Sequence, residues 1–487
     1  MSYKDLRDWI DQAEKMGELI HLNGVDWNLE IGVLADVSKK AILFDNIKDY
    51  PKGYRVLTGQ SESKALSELT YGFPRPQGSH TDLVNFWRKW LKGARPVPTK
   101  VVKDGAVMEN VHRIDDDPKS LNLLEFPVPK WHEGDGGRYI GTAGCCILRD
   151  PDEGWVNMGI FRIMVSDPQT MTIYICQGKN SHIIIEKAFR RGQNVPVVVL
   201  AGQDPAVWAA GTWGVWGESD LEYAGYIKGE PIEVIEGPLT GLPIPATAEI
   251  AIEGELRPGD LVTEGPYGEW TGFSEPWPVP AIRVKAIYHR NDPIHTGTLA
   301  GRGSHRPMQT GAFQHNYMTC ARMWNQIEAA GVRGVTGVAS YTRFLTVVSI
   351  KQMFAGHARQ AGHVAAQLTE YSMMTHYIIV VDDDIDPYNI AAVMWAVAVR
   401  SNPERAIDII RYCWSDRMDT AIPIEEKTGK SYQRSNYIPV FNSRAIIDAC
   451  KPFEWNPNIK QSIEHRPELV QQVLGKWGKF LNDVYKD

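Results

Sequence analysis

The chain has 487 residues, more than one ordinary hydrophobic core holds, so its length predicts two or three domains. Its 52 basic and 59 acidic residues give a net charge of −7 at pH 7, which argues against a general binder of nucleic acids or anionic membranes. Its six cysteines include no CxxC pair, so a disulfide framework or a structural zinc site is not expected. We find neither a signal peptide nor an apolar run of membrane-spanning length, and we expect a cytoplasmic protein.

The first part of the chain alternates helical and strand patterns. Apolar residues recur at helical spacing within residues 2–16, and the sequence ELIHL that follows favours a strand. Two short strands around a turn with Pro51 and Gly53 come next, followed by two helical segments. We therefore predict a mixed α/β lobe over residues 1–115.

The middle of the chain is dominated by short strands. Between residues 116 and 300, β-like runs alternate with glycine and proline, and Ala248, Ile250 and Ile252 share one face of a strand. The segments SHIIIEKAFRRG and SDLEYAGYIKG are predicted helices between these strands. Many short strands with turn signals favour a barrel or a sandwich.

The last part, residues 301–487, returns to alternating helices and strands and ends in a predicted helix over 465–484. Its segment VDDDID, 381–386, resembles a cluster of metal-binding carboxylates. It is more simply explained as the end of a strand whose carboxylates cap the next helix, with Pro387 near the first helical turn. We therefore predict a C-terminal α/β lobe with a trailing helix.

The stretch TEGPYGEWTGF places two glutamates, Glu264 and Glu269, among glycine, proline and aromatic residues. One interpretation is a β-turn with solvated glutamates on its flanks. The other is that Tyr267, Trp270 and Phe273 form a dry wall beside these carboxylates. A carboxyl group in such surroundings tends to keep its proton, as a proton-donating catalyst requires.

Arg162 interrupts the apolar, strand-like run WVNMGIFRIMV, residues 155–165. With strand periodicity it faces the side opposite to Phe161. A charge on a largely buried strand needs a partner. Either Arg162 forms a structural salt bridge, or it binds a substrate carboxylate and bridges Glu264 and Glu269.

Three further residues offer metal ligands: Asn157, His182 and Asp220. An amide oxygen, one imidazole and one carboxylate suit Mn²⁺ or Mg²⁺ better than zinc. From spacing alone, His182 and Asp220 could equally cap their own helices.

An ordered set of motifs runs along nearly the whole chain: NMGIFR, SDLEYAGYIKGEP, ATAEIAIEGEL, EGPYGEWTGF, IKQMFAGHA, and VDDDID with MWAVAVR. This set resembles the UbiD-type decarboxylase family, which includes ferulic acid decarboxylase and the ubiquinone-pathway hydroxybenzoate decarboxylase. The resemblance implies an N-terminal α/β lobe, a central split β-barrel that binds flavin, and a C-terminal α/β lobe. It also implies reversible, non-oxidative decarboxylation of aromatic, heteroaromatic or α,β-unsaturated carboxylic acids.

The same resemblance implies cofactors and partners. The cofactor would be prenylated FMN, supplied by a separate flavin prenyltransferase, with Mn²⁺ (or Mg²⁺) and K⁺ holding its phosphate. The partners would be a small carboxylic acid and CO₂, and the chain would form a homodimer or homohexamer.

Matching the family motifs residue by residue gives three sets of site residues. The catalytic set is Arg162, Glu264 and Glu269, with Glu269 as the proton donor, and the metal set is Asn157, His182 and Asp220. The family usually has Glu where this chain has Asp220, so Glu222 is the alternative ligand. The cofactor-binding set is Asn157, Ile160, Phe161, Arg162, Ser181, His182, Asp220 and, from a weaker match within 427–430, Lys430.

Two other functions remain open from the sequence. Paired carboxylates with 16 tryptophans also fit a glycoside hydrolase, which would work without a flavin. The second is a non-catalytic subunit of a decarboxylase or carboxylase complex.

Overall fold

The structure is a computed structural model that describes residues 3–73, 77–272, 274–299, 313–368, 373–428, 439–454 and 465–480. Among these residues, none of the helices combines the length and the apolar character needed to span a membrane. All six cysteines are free thiols, as the sequence predicts.

The elements follow the three predicted parts of the chain. The first part contains α1 (Leu6–Lys15), β1 (Leu19–Asn23), α2 (Glu30–Val37), β2 (Ala41–Asp45), β3 (Arg55–Thr58), α3 (Lys64–Tyr71), α4 (His80–Gly93), β4 (Lys100–Val101) and β5 (Asn110–Arg113). The middle part contains β6 (Arg138–Gly141), β7 (Cys145–Arg149), β8 (Val156–Ile160), β9 (Arg162–Asp167), β10 (Thr170–Tyr174), α5 (Asn180–Phe189), β11 (Val195–Gly202), α6 (Pro205–Ala210), α7 (Asp220–Lys228), β12 (Glu233–Glu236), β13 (Pro243–Pro245), β14 (Ile250–Glu264), β15 (Trp277–His289) and β16 (Ile294–Gly297). The last part contains α8 (Phe313–Ala329), β17 (Val335–Thr342), β18 (Leu345–Ile350), α9 (His357–Ala365), β19 (Tyr377–Asp382), α10 (Ile390–Arg400), α11 (Pro403–Ala406), β20 (Ile407–Trp414), α12 (Ile424–Lys427), β21 (Phe441–Asp448) and α13 (Pro467–Trp477). Short 3₁₀ helices cover Ala106–Met108, Pro118–Ser120, Leu123–Glu125 and Gly478–Phe480.

The N-terminal lobe is built on a four-stranded sheet in the order β1-β2-β3-β16. Helix α1 begins after Asp5, whose side chain accepts a hydrogen bond from the Asp8 backbone N–H, and it buries Leu6, Trp9 and Ile10. A helix within the predicted stretch 2–16 is thus confirmed, although it spans only Leu6–Lys15, and its apolar face covers the lobe's core.

The central sheet has nine strands, eight of them in the order β6-β9-β10-β15-β14-β11-β7-β8, while β5 pairs with β15. It curls into a half-barrel, which confirms the predicted fold class. Consecutive strands β8 and β9 lie near opposite ends of this order. The single strand predicted over 155–165 is therefore wrong: the run breaks at Phe161, and its two halves enter different ends of the sheet.

Strand pairing crosses the predicted boundary between the first and middle parts twice. Strand β5 precedes residue 116 yet joins the central sheet, and β16 precedes residue 300 yet joins the N-terminal sheet. Between these lobes, Arg7 donates hydrogen bonds of 2.9 and 2.8 Å to Glu249, and Arg290 donates one of 3.0 Å to Asp5. The division into 1–115, 116–300 and 301–487 stays a prediction.

The C-terminal lobe holds a five-stranded sheet in the order β17-β18-β19-β21-β20, with the parallel strands at its centre. The predicted helix cap in VDDDID is wrong. Asn389 caps α10 by accepting a hydrogen bond from the Ala392 N–H, and the helix begins at Ile390, after Pro387. Asp384 instead receives two hydrogen bonds from Arg400, because the guanidinium matches a carboxylate in bidentate geometry.

Candidate active site

Arg162 joins two buried glutamates. Its Nη2 atom lies 2.8 Å from Glu264 Oε2, and its Nη1 atom lies 2.5 Å from Glu269 Oε1. The exposed fractions of the three side chains are 8%, 0% and 9%, so the glutamates are not solvated flanks of a turn. Burial acts to lower the pKa of Arg162, but the attraction of Glu264 and Glu269 outweighs it and raises that pKa well above its ordinary value. The three charges therefore form one buried cluster with a cation at its centre.

Sheet topology brings this cluster together. The strands β9, β10, β15 and β14 are neighbours in that order. Arg162 begins β9 opposite Tyr174, the last residue of β10, and Glu264 ends β14 opposite Trp277, the first residue of β15. Residues that are far apart in the sequence thus meet where these four neighbouring strands begin or end, at one end of the sheet.

A tight turn carries the chain from Glu264 to Glu269. The Gly265–Pro266 peptide is cis, and Gly265 has φ +92°, a conformation that favours glycine. The loop before β6 holds this turn: the Gly136 N–H donates to the Pro266 carbonyl at 2.8 Å, and the Gly268 N–H donates to Asp135 Oδ1 at 2.8 Å. Backbone hydrogen bonds thus fix the spacing of the two carboxylates.

Three tyrosines surround the charges. Tyr174 and Tyr267 lie with their ring centroids 4.1 and 5.5 Å from Arg162 Cζ. The Tyr139 hydroxyl lies 2.9 Å from Glu264 Oε1. Burial, with a contribution from Glu264, raises the pKa of Tyr139, so the hydroxyl keeps its proton and donates it in this hydrogen bond.

The predicted aromatic wall is present only in part. Tyr267 is buried beside Arg162, whereas Trp270 packs against Phe344 of the C-terminal lobe at a centroid distance of 5.0 Å. Phe273, the third predicted member, lies outside the described residues. The turn thus contacts both the charge cluster and the C-terminal lobe.

The predicted metal ligands converge on the start of α5. Asn157 of β8 is buried, and its Nδ2 atom donates to Ser181 Oγ at 2.7 Å, next to His182. The Gly178 N–H donates to His182 Nδ1 at 3.2 Å, so this nitrogen carries the lone pair of the neutral ring. Burial lowers the pKa of His182 to about 4, so the imidazole is neutral at neutral pH. With Nδ1 accepting from Gly178 the hydrogen lies on Nε2, so metal binding through Nε2 would require the other tautomer.

Asp220, the first residue of α7, faces the same strand. It is fully buried, and it accepts the backbone N–H of Met158 at 2.9 Å and that of Gly214 at 3.1 Å. Glu222 is partly exposed, and a two-residue step on a helix directs it away from the side of Asp220. The geometry therefore places Asp220, rather than Glu222, beside Asn157.

The remaining predicted cofactor residues differ in outcome. Ile160 and Phe161 lie half-buried where β8 ends and β9 begins. Lys430 lies outside the described residues. Lys427, in the same predicted stretch, is 5% exposed at the end of α12.

Sequence reasoning missed Tyr139, Tyr174 and Asp135. Each belongs to an ordinary strand or turn pattern, so no local signal distinguishes it. Tyr174 is placed by its register opposite Arg162, and Asp135 by its contact with the turn at Gly268.

A cleft opens beside the charge cluster. Tyr174 and Val279 line it from the central sheet, and Asp416, Arg417 and Val440 line it from the C-terminal lobe. The Tyr174 hydroxyl donates to Asp416 Oδ1 at 2.6 Å. The tyrosine that covers Arg162 thus forms part of the wall of a space between two lobes.

Comparison with protein families gives three matches along the chain. They are the N-terminal domain of 3-octaprenyl-4-hydroxybenzoate carboxy-lyase over residues 10–71, its Rift-related domain over 100–303 and its C-terminal domain over 315–449. Together these matches cover most of the chain.

Individual relatives agree with this match. A phenolic acid decarboxylase of Bacillus subtilis (strain 168) is 30% identical over 425 residues, covering 84% of this chain and 87% of the relative. A pyrrole-2-carboxylic acid decarboxylase of Pseudomonas aeruginosa is 32% identical over 422 residues, with coverages of 82% and 83%. The UbiD-class enzyme HmfF of Pelotomaculum thermopropionicum, solved with FMN, superposes with a TM-score of 0.76 at 26% identity, covering 97% of this chain and all of that one. An evolved dimeric form of HmfF, solved with prFMN, gives a TM-score of 0.74 at 26% identity, covering 97% of this chain and 99% of that one.

Replacing Gly136 with alanine tests how the turn is held. A Cβ atom there would lie 2.0 Å from the Gly265 carbonyl oxygen, so Gly136→Ala must displace the turn. We expect the free energy of unfolding to fall by about 1–3 kcal/mol, as for other overpacked sites. Gly134→Ala is the matched control, because its Cβ would meet no atom within 4 Å. Equal urea midpoints for the two variants would contradict this account.

Proposed function

The chain belongs to the UbiD family of carboxy-lyases, and we propose that it decarboxylates an aromatic, heteroaromatic or α,β-unsaturated carboxylic acid, reversibly and without oxidation, using prenylated FMN. The observation that carries this proposal is Arg162 held between two buried glutamates at the sheet edge. The phenolic and pyrrole-2-carboxylic acid decarboxylases and the FMN and prFMN complexes of HmfF support it. Family membership sets aside the glycoside hydrolase, and the intact cluster supports a catalytic chain rather than a non-catalytic subunit.

The residues around the start of α5 fit the phosphate end of the cofactor and its metal. Asn157, His182 and Asp220 would bind Mn²⁺ (or Mg²⁺), since an amide oxygen, a neutral imidazole and a carboxylate form a largely oxygen donor set. Ser181 lies in the first turn of α5, where helix N–H groups favour a phosphate. K⁺ belongs to the same proposal through the family resemblance.

Other residues complete the proposed cofactor site. Ile160 and Phe161 would contact the flavin from the break between β8 and β9. Lys427 or Lys430 would contact the phosphate, and the burial of Lys427 supports it, because a buried ammonium group needs an anionic partner. When bound, the prenylated flavin supplies the electron sink that loss of CO₂ requires.

Arg162 is the proposed binding group for the substrate carboxylate. The rings of Tyr174 and Tyr267 cover its guanidinium, which keeps it in a low-dielectric site and strengthens its attraction for anions. The resting cluster holds one cation and two carboxylates. An incoming carboxylate adds a second negative charge in excess, at a cost of about 4 kcal/mol for like charges about 4 Å apart at an effective dielectric constant near 20.

That cost favours uptake of a proton by the cluster, and Glu269 is the proposed site. Glu264 accepts hydrogen bonds from both Arg162 and Tyr139, which stabilise its carboxylate form, and it is fully buried. Glu269, in contrast, accepts a hydrogen bond from Arg162, and its side chain remains slightly exposed. Glu269 would therefore hold the proton and deliver it to the carbon that has lost CO₂.

We propose a flavin prenyltransferase as the cofactor supplier and a homodimer or homohexamer as the assembly. Exposed apolar side chains in the C-terminal part support a homo-oligomer: Met394 and Trp395 on α10 are 50% and 47% exposed, and Val473 and Trp477 on α13 are 47% and 52% exposed.

Replacing Glu269 tests the proton donor. We expect Glu269→Gln to keep the absorbance of bound cofactor but to lose about 10²–10⁴-fold in kcat, because an amide cannot transfer a carboxyl proton. Glu275→Gln, in the same loop but exposed, is the control and should retain the parent rate. Turnover of Glu269→Gln at the parent rate would refute the assignment.

Substrate binding should be coupled to proton uptake. Calorimetry of a non-reactive benzoate-type acid, in buffers with different ionisation enthalpies, should show net proton uptake on binding, because the third carboxylate adds a negative charge to the cluster. In Glu269→Gln this uptake should disappear. Unchanged uptake in that variant would mean that another group takes the proton.

A pair of variants separates the two possible metal ligands. Asp220→Asn should weaken retention of the divalent metal at least about tenfold, whereas Glu222→Gln should retain it as the parent does. Asp220 accepts the Met158 and Gly214 N–H groups with its two separate oxygens, and asparagine keeps one of them, so urea unfolding of the variant should be measured beside its metal content. Metal and flavin content per chain measure the result, and a loss confined to Glu222→Gln would move the ligand role to Glu222.

A further inference from the structure

A second group of metal-binding side chains lies at the far end of the central sheet. His112 on β5, Glu125 in a 3₁₀ turn and His289 at the end of β15 each offer one ligand atom, and these three atoms lie within 4.8 Å of one another. The 13 residues of β15 separate His289 from the edge that holds Glu264, a distance of roughly 35–40 Å along the strand. This group is therefore separate from the active site.

The spacing of the ligand atoms matches a tetrahedral ion. His112 Nε2 lies 3.3 Å from His289 Nε2, and His289 Nε2 lies 3.6 Å from Glu125 Oε1. Ligands about 2.0–2.2 Å from a tetrahedral Zn²⁺ are about 3.3–3.6 Å from one another. These two separations thus match edges of a zinc coordination tetrahedron, and the third pair, His112 and Glu125, has ligand atoms within 4.8 Å of each other.

Surrounding contacts prepare His289 for this role. Its Nδ1 lies 2.9 Å from the Arg290 carbonyl oxygen, which can only accept, so Nδ1 carries the hydrogen and Nε2 carries the lone pair. A backbone carbonyl in this position is the usual outer partner of a metal-bound histidine. Phe126 packs edge-on against the His289 ring at a centroid distance of 5.3 Å. The lone pair therefore faces His112 and Glu125 in a fixed direction.

We propose that His112, Glu125 and His289 form a second divalent metal site of the zinc type. Two histidines, one glutamate and an open fourth position for water are a donor set that zinc uses in proteins. The ion would join three segments: the edge strand β5, the Leu123–Glu125 turn and the end of β15. Its role would be to hold this corner of the central sheet, away from the chemistry.

The test uses holoenzyme whose flavin site is loaded with Mn²⁺. Zinc added at micromolar free concentration should bind at about one further equivalent per chain, measured by elemental analysis, and Co²⁺ should give the absorption bands of a four-coordinate ion. His112→Gln and Glu125→Gln should weaken this binding at least about tenfold while leaving Mn²⁺, flavin and turnover unchanged. Both residues are partly exposed, so these substitutions should not prevent folding.

His21→Gln is the matched control, because His21 Nε2 also lies 3.3 Å from a glutamate oxygen, of Glu14, but within the described part of the chain no third metal ligand joins this pair. It should bind the second zinc as the parent does. Zinc should also raise the thermal unfolding midpoint of the parent but not that of the two site variants. The proposal fails if the parent binds no metal beyond Mn²⁺, or if both site variants bind zinc as tightly as the parent.

Discussion

The buried guanidinium of Arg162 between two carboxylates is the interaction on which the functional interpretation depends. Removing charges from water costs several kcal/mol for each ion, and apolar replacements of buried ion pairs are often as stable. Stability alone therefore does not account for a cluster this deeply buried, in which Arg162, Glu264 and Glu269 are 8%, 0% and 9% exposed. A cation shared by two anions does, however, create a site that responds strongly to a third carboxylate and to a proton.

The break at Phe161 links this cluster to the proposed cofactor site. Asn157 precedes the break on β8, and Arg162 follows it on β9, so one short segment serves both sites. Because β8 and β9 lie near opposite ends of a curled sheet, the segment crosses the gap between those ends. A flat sheet would separate the two strands, whereas the half-barrel brings the start of α5, the proposed phosphate site, and the acid pair near the same gap.

A group of tryptophans packs the interior rather than lining the site. Trp90 lies 5.3 Å from Trp87 and 5.4 Å from Trp213, ring centroid to centroid, within the largest core cluster. That cluster includes residues of α4, α7 and α8, and Arg88 reinforces it by packing 3.9 Å above the Trp324 ring. These tryptophans thus hold the lobes together rather than forming a sugar-binding surface.

The sequence by itself determined the alternation of helices and strands and the family resemblance, because apolar periodicity and ordered motifs are properties of the chain. Through those motifs it also singled out Arg162, Glu264 and Glu269 as candidate catalytic residues. Only the tertiary structure decided which strands are neighbours: the break at Phe161, the pairing of Tyr174 with Arg162, and the hydrogen bond from Tyr139 to Glu264. It also brought together His112, Glu125 and His289, which no local motif connects. Strand order and register arise from contacts between distant segments, and one residue of register moves every side chain to the other face, so local patterns cannot specify them.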